Sequence, residues 1–146
     1  MIFNLDTRIY LAEHPYWAIG WYDRVRGMIG RNFIPGRLDA MVFPRCAAVH
    51  FMGMGIALDV AFLNREGVVL AVCPECRPWG RPVGCRGAAF TIELPAGRLV
   101  LTGTRIGHRL NLNSTLAPEA IEKLRKETML SAGVLPRAAG TDPAAE

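Results

Sequence analysis

Lysine is nearly missing from this chain: 15 arginines and only two lysines carry a net charge of +4, and no polybasic block is formed by either. That scatter is the pattern of an ordinary solvated surface and argues against a nucleic-acid partner, because basicity alone attracts any polyanion. Long apolar runs are lacking too. The best candidate, Ala47 to Leu63, is shorter than the roughly 20 residues a membrane span needs and is interrupted by His50 and Asp59. An acid at the centre of a span costs about 2.5 to 3.5 kcal/mol on insertion, and Gly53 and Gly55 weaken a helix further, so a span is excluded there. The opening Met1-Ile-Phe-Asn-Leu-Asp-Thr-Arg8 mixes acid and base into the apolar residues before a signal core can form, and the expected location is cytoplasmic. No serine or cysteine sits in a nucleophile elbow, no glycine-rich phosphate loop follows a strand, and no two-histidine metal motif occurs. The familiar enzyme classes built on those motifs are thereby excluded.

What is present suits one domain. A chain of 146 residues buries about two-thirds of its unfolded surface, and the apolar fraction of 51% with mean hydropathy +0.19 supplies the material. Short apolar or alternating runs recur: Arg8 to Ala12, Ala40 to Phe43, Asp59 to Leu63, Val68 to Val72, Ala89 to Leu94, Leu99 to Thr102 and Arg109 to Leu112, each bounded by Gly, Pro or Asn. They predict a mainly β, β-rich α+β domain over residues 1–112, a compact antiparallel sandwich or part-open barrel. Asn64-Arg-Glu-Gly67 is hairpin turn chemistry. Trp17, Trp21, Val25 and Met28 recur at helical spacing, so one N-terminal helix should lay an apolar stripe over an end of the sheet and stop at Gly27 in the left-handed conformation. A second helix, Pro118 to about Ser131, carries proline in its first turn and Glu119–Lys123 and Glu122–Lys126 pairs; it belongs to an appended segment, 113–135, with a disordered tail at 136–146.

Polar residues at fixed places among these strands are the candidate site. Read as extended, Cys46, Ala48, His50, Met52 and Met54 line one sheet face. Cys46 and His50 then stand about 13 Å apart, too far to share a metal. His50 reads as a hydrogen-bonded, half-buried residue or as a ligand-binding one. Asp59 should take backbone N–H bonds from the Gly55-Ile-Ala57 turn, or else converge with His50, Met54 and Glu93 on one concave patch. Glu93 alternates with Ile92 and Leu94 and so reads as solvent-facing on the far side of its strand. Cys73-Pro-Glu-Cys76, with Cys85 and Cys46, offers four thiols of the type zinc prefers; a disulfide and plain reduced cysteines are the other readings. Proline at Pro74, Pro78 and Pro82 argues against the helix a thioredoxin-like motif needs. Pro95-Ala-Gly97 reads as a turn between two apolar strands, Pro95 holding Leu94 extended, and Gly107 as a further structural turn. Trp79 beside Arg77 either closes the core edge or forms a recognition surface.

The segment Arg24-Val-Arg-Gly27-Met28-Ile-Gly30-Arg31, the stretch Cys46 to Leu63, Arg77-Pro-Trp79, Glu93-Leu-Pro-Ala-Gly97 and Gly107 together resemble the prokaryotic family called domain of unknown function 192, over roughly residues 5–112. The resemblance implies a compact β-rich domain and no established activity; some relatives look to be associated with pilus, secretion or envelope functions. It lends no support to Cys73, Cys76 or Cys85, and the relatives' acid after Gly107 is here His108. The leading expectation is a non-catalytic accessory module with no cofactor, binding a small ligand or a protein segment through His50, Met54, Asp59 and Glu93. The alternatives are a zinc protein using Cys46, Cys73, Cys76 and Cys85, and a hydrolase-like enzyme using Asp59 and Glu93 as acid and base.

Overall fold

The computed structural model describes residues 1–112, and the helix and tail expected beyond them lie outside the described residues. In chain order the elements are β1 (Ile2–Asn4), β2 (Ile9–Ala12), β3 (Pro15–Trp17), α1 (Trp21–Arg26), β4 (Ala40–Pro44), β5 (Ala48–Val49), β6 (Leu58–Leu63), β7 (Val69–Cys76), β8 (Val83–Gly84), β9 (Phe90–Pro95), α2 (Arg98–Leu101) and β10 (Leu110–Asn111). The fold is a β-rich α+β one in which the sheets do not close into a barrel. A five-stranded sheet ordered β3-β4-β9-β6-β7 is its centre, with a three-stranded sheet β10-β1-β2 and a two-stranded sheet β5-β8. No helix among the described residues is long and apolar enough to cross a membrane.

All neighbours in the central sheet are antiparallel except β3 and β4, which run parallel. Parallel neighbours need a long crossover, and here α1 with the loop up to Asp39 provides it. The β6–β7 hairpin forms where its turn chemistry predicts. Asn64 Oδ1 accepts the Glu66 and Val68 N–H groups at 3.0 and 2.8 Å, and Gly67 adopts φ +79°.

Alternation along the strands puts a core on both faces of the central sheet. Ala40, Val42, Ala61, Leu63, Ile92 and Leu94 join Ile2, Leu11, Leu99 and Leu110 on one face. Met41, Phe43, Leu58, Val60 and Phe62 join Met28, Phe51, Met54 and Cys76 on the other. A sheet covered on both sides has no solvent-facing row, which is why β6 is buried at every position.

Three expectations are corrected by the local structure. First, α1 is only six residues long and none of them is buried: Trp21, Tyr22 and Val25 are exposed, and the apolar cover comes instead from Ala18 and Met28 on either side. Gly27 stops the helix, as expected, with positive φ but at φ +49°, ψ −130°, outside the left-handed helical well. Second, the run from Leu99 is helical up to Leu101, with Thr102 as the C-cap, and is not a strand, so Pro95-Ala-Gly97 joins a strand to α2. Gly97 at φ +83° turns the chain; Leu99 and Thr102 of that run are buried, while Val100 and Leu101 are exposed. Third, the stretch from Cys46 to Met54 is not one extended strand. Only Ala48–Val49 pairs, and the chain then turns through Gly53 at φ +76°, so His50 and Met52 are exposed while Phe51 and Met54 are buried.

Candidate functional site

Register decides which polar groups can meet. Across the central sheet Met41, Glu93 and Val60 form one row, and Asp59 stands opposite Leu94 in the next. Adjacent rows point to opposite faces, so the Asp59 and Glu93 carboxyls lie on different sides of the sheet. This removes Asp59 from any site shared with His50 and Glu93, and with it the acid-base pairing of the two carboxyls.

Asp59 has a different occupation. It is fully buried, and its Oδ1 accepts the N–H groups of Glu75 at 2.8 Å and Gly97 at 3.1 Å, while Oδ2 accepts that of Leu99 at 2.8 Å. The donors come from the end of β7 and the first turn of α2, not from the expected Gly55–Ala57 turn. Two of them are amides at the start of α2, which have no partner within the helix, so the carboxylate ties the end of β7 and the start of α2 to β6. Its role is architectural.

Glu93 is also buried, at 3% exposure, and this corrects the expectation of a solvent-facing residue. The second face of the sheet is roofed by the chain from Arg24 to Ile29 and by β5. Between roof and sheet lies a cavity of about 60 Å³ lined by Arg24 to Ile29, Phe43, Cys46, Ala48 to His50, Met54 and Glu93. Glu93 Oε2 has no hydrogen-bond partner there. Burial pushes the carboxyl up from its ordinary value of 4.5 to about 8, so that near neutral pH it is mostly protonated and can donate as well as accept.

The cations of the rim do not relieve it. Arg24 donates to the carbonyls of Pro44 and Arg45, both at 2.9 Å, and Arg26 Nε donates to the carbonyl of Ile29 at 3.3 Å. These bonds pin the roof to β4 and to its own turn. Gly27 closes the roof directly over the carboxyl: a side chain at that position would stand 3.9 Å from Glu93 Oε2 and 3.6 Å from the Phe43 ring. Absence of a side chain there, at positive φ, is what leaves room above Glu93.

Of the residues expected to converge, three do: Glu93 at the floor, buried Met54 in the wall and exposed His50 at the mouth. Sequence reading missed Arg24, Arg26, Met28, Phe43 and Val49, and took Gly27 for a structural turn alone. The signal for most of them was the Arg24-to-Arg31 motif itself.

The thiols are dispersed. Cys73 and Cys76 touch, Sγ to Sγ 2.9 Å, at the end of β7, while Cys46 lines the cavity and donates to the Ala48 carbonyl at 3.1 Å. Among the described residues no group of three or more His, Cys, Asp or Glu side chains converges as a metal ion requires. Two larger hollows exist, about 470 Å³ beside Phe33, Pro95 and Leu101 and about 290 Å³ beside Trp17, Gly67 and Phe90. Neither is lined by an unpartnered buried polar atom, so the smaller cavity is the better candidate despite its size.

The family profile of DUF192, described as "Uncharacterized ACR", matches residues 16–112. The chain belongs to the DUF192 family. The roof motif, the cavity and the Asp59 tie all fall inside that matched span. No curated protein matches the chain. Two solved structures share its fold. One is a protein of unknown function from Novosphingobium aromaticivorans DSM 12444, with TM-score 0.59, 18% identity, and 66% of this chain and 73% of that one covered. The other is a "putative transcription regulator" from Sinorhizobium meliloti 1021, with TM-score 0.60, 21% identity, and coverage of 66% and 79%. At these identities the likeness speaks for the fold alone, so DUF192 membership brings an architecture and no reaction.

Proposed function

We propose that this domain is a non-catalytic binding module whose cavity takes the polar-tipped end of an apolar ligand or of a partner's side chain. The observation that carries this reading is the unpartnered Glu93 carboxyl, sealed under Gly27 and facing a cavity. A buried polar group without a partner costs about 1 to 3 kcal/mol, which a ligand atom bonding to it would recover. Walls of Met28, Phe43, Val49 and Met54 suit an apolar stem, and the single carboxyl fixes its tip. Size limits the guest. About 60 Å³ admits a few water-sized groups, far below the roughly 300 Å³ or more of pockets that enclose whole ligands, so the guest inserts an end and leaves its remainder outside near His50.

The test is a ¹H–¹⁵N chemical-shift titration with small probes, namely n-butylamine, n-butanol, acetamide and acetate at millimolar concentration. At least one should shift the amides of Gly27, Met28 and Glu93 in a saturable manner. Ala48→Trp, which fills the mouth from an exposed β5 position, should abolish those shifts. Probes that leave these amides unmoved, or shifts that survive the plug, would refute the reading.

A further inference from the structure

The cysteine pair at the end of β7 lies outside the cavity, and its geometry is built by a defect in the sheet. In a regular strand residues three apart point to opposite faces and stand about 10 Å from each other. Here Cys73 pairs with Val60 and Cys76 with Leu58, three steps along β7 against two along β6. The extra residue is a β-bulge, and it restores both cysteines to one side. Glu75 takes the strain at φ +51°, and Asp59 Oδ1 holds its N–H at 2.8 Å, so the bulge is fixed to the buried carboxylate of the neighbouring strand. The two sulfurs end 2.9 Å apart, less than about 1 Å beyond the disulfide bond length of about 2.05 Å.

We infer that Cys73 and Cys76 form a thiol–disulfide exchange site that a low-molecular-weight disulfide oxidises to an intramolecular bond. The two thiols are unequal, which gives the exchange an order. Cys73 is half-exposed, next to exposed Pro74 and Glu75, whereas Cys76 is 7% exposed and donates its S–H to Cys73 Sγ and to the Cys73 carbonyl. Burial pushes the Cys76 thiol up to about 12, and the contact with Cys73 adds to this. Cys73 is therefore the attacking sulfur: as thiolate it displaces one half of the disulfide R–S–S–R and becomes the mixed disulfide Cys73–S–S–R, releasing R–S⁻. Cys76 then gives up its proton and attacks the Cys73 sulfur, forming Cys73–S–S–Cys76 and expelling the second R–S⁻. The protein loses two protons and two electrons, and R–S–S–R leaves as two R–SH. Exposed Arg77, the next residue after Cys76, favours an anionic disulfide such as oxidised glutathione.

The experiment equilibrates the full chain with oxidised glutathione, quenches it with iodoacetamide after unfolding, and maps the products by peptide mass spectrometry. Half of the chain's four free thiols should be lost, the peptide holding Cys73 and Cys76 should fall by two hydrogens, and dithiothreitol should restore both thiols, with Cys46 and Cys85 alkylated throughout. In Cys76→Ser the reaction should stop at a glutathione adduct on Cys73, and Cys73→Ser should stay unmodified over the same time. The inference is overturned if all four thiols alkylate in the unsubstituted chain, or if the bond forms between any other pair. A glutathione adduct that reaches Cys76 first overturns the order of attack.

Discussion

Asp59 and Glu93 carry the same functional group, both are buried, and they differ in everything else because of one step of strand phase. Asp59 takes three backbone N–H groups, so its charge is compensated where it lies. Replacing it with alanine leaves three donors, from the end of β7 and the start of α2, without an acceptor, and the expected loss of unfolding free energy is about 4 kcal/mol. Asp59→Asn, with one carbonyl oxygen, should lose about half of that; urea denaturation measures both. Glu93 behaves oppositely. Its carboxyl titrates near 8 when folded against 4.5 ordinarily, so between those values the native state holds a proton that the unfolded chain has released. The neutral native form costs nothing below about 4.5, and stability then declines through this window and levels off above about 8. Comparing Glu93→Gln with the unsubstituted protein at each pH isolates this contribution. The difference between the two should move in favour of the variant by about 5 kcal/mol from pH 4 to pH 9. A constant difference would show that Glu93 is solvated.

At the level of elements, legibility followed local chemistry. The β6–β7 hairpin could be read because Asn64 and Gly67 settle their turn without help from distant residues. The turn also has a partner that the sequence did not reveal: a methyl at Gly67 would collide with the carbonyl oxygen of Leu110, and the position holds φ +79°. Gly67→Ala should therefore cost more than about 2 kcal/mol, combining positive φ with a backbone clash. Trp21→Ser on α1, at 76% exposure, should change stability by less than about 0.5 kcal/mol. Thermal or denaturant midpoints distinguish the two, and equal effects would mean that α1 is packed and the turn tolerant. The helices were misjudged for a shared reason. The stripe of Trp17, Trp21, Val25 and Met28 has helical period but Gly27 breaks it before Met28, and Leu99 to Leu101 has strand composition but begins at a capped helical turn. In both places a tertiary bond sets the conformation: Arg24 to the Pro44 and Arg45 carbonyls, and the Gly97 and Leu99 amides to Asp59.

Over the whole molecule the β-rich class was legible from strand spacing, while the site was half legible. His50, Met54 and Glu93 do come together, and Asp59 does not. Alternation correctly put Glu93 opposite Ile92 and Leu94, but it cannot say what covers the far face, and that cover is built from the end of the short helix α1, the turn after it and the two-residue strand β5, elements too short to show a period of their own. The central claim is that this roof takes a carboxyl out of water and leaves it unpaired at the floor of a cavity. The most direct measurement is an NMR titration of the Glu93 side-chain carboxyl carbon in selectively ¹³C-labelled protein. A midpoint near 8, displaced when a probe enters the cavity, is the predicted result; titration near 4.5, indifferent to every probe, would contradict the claim.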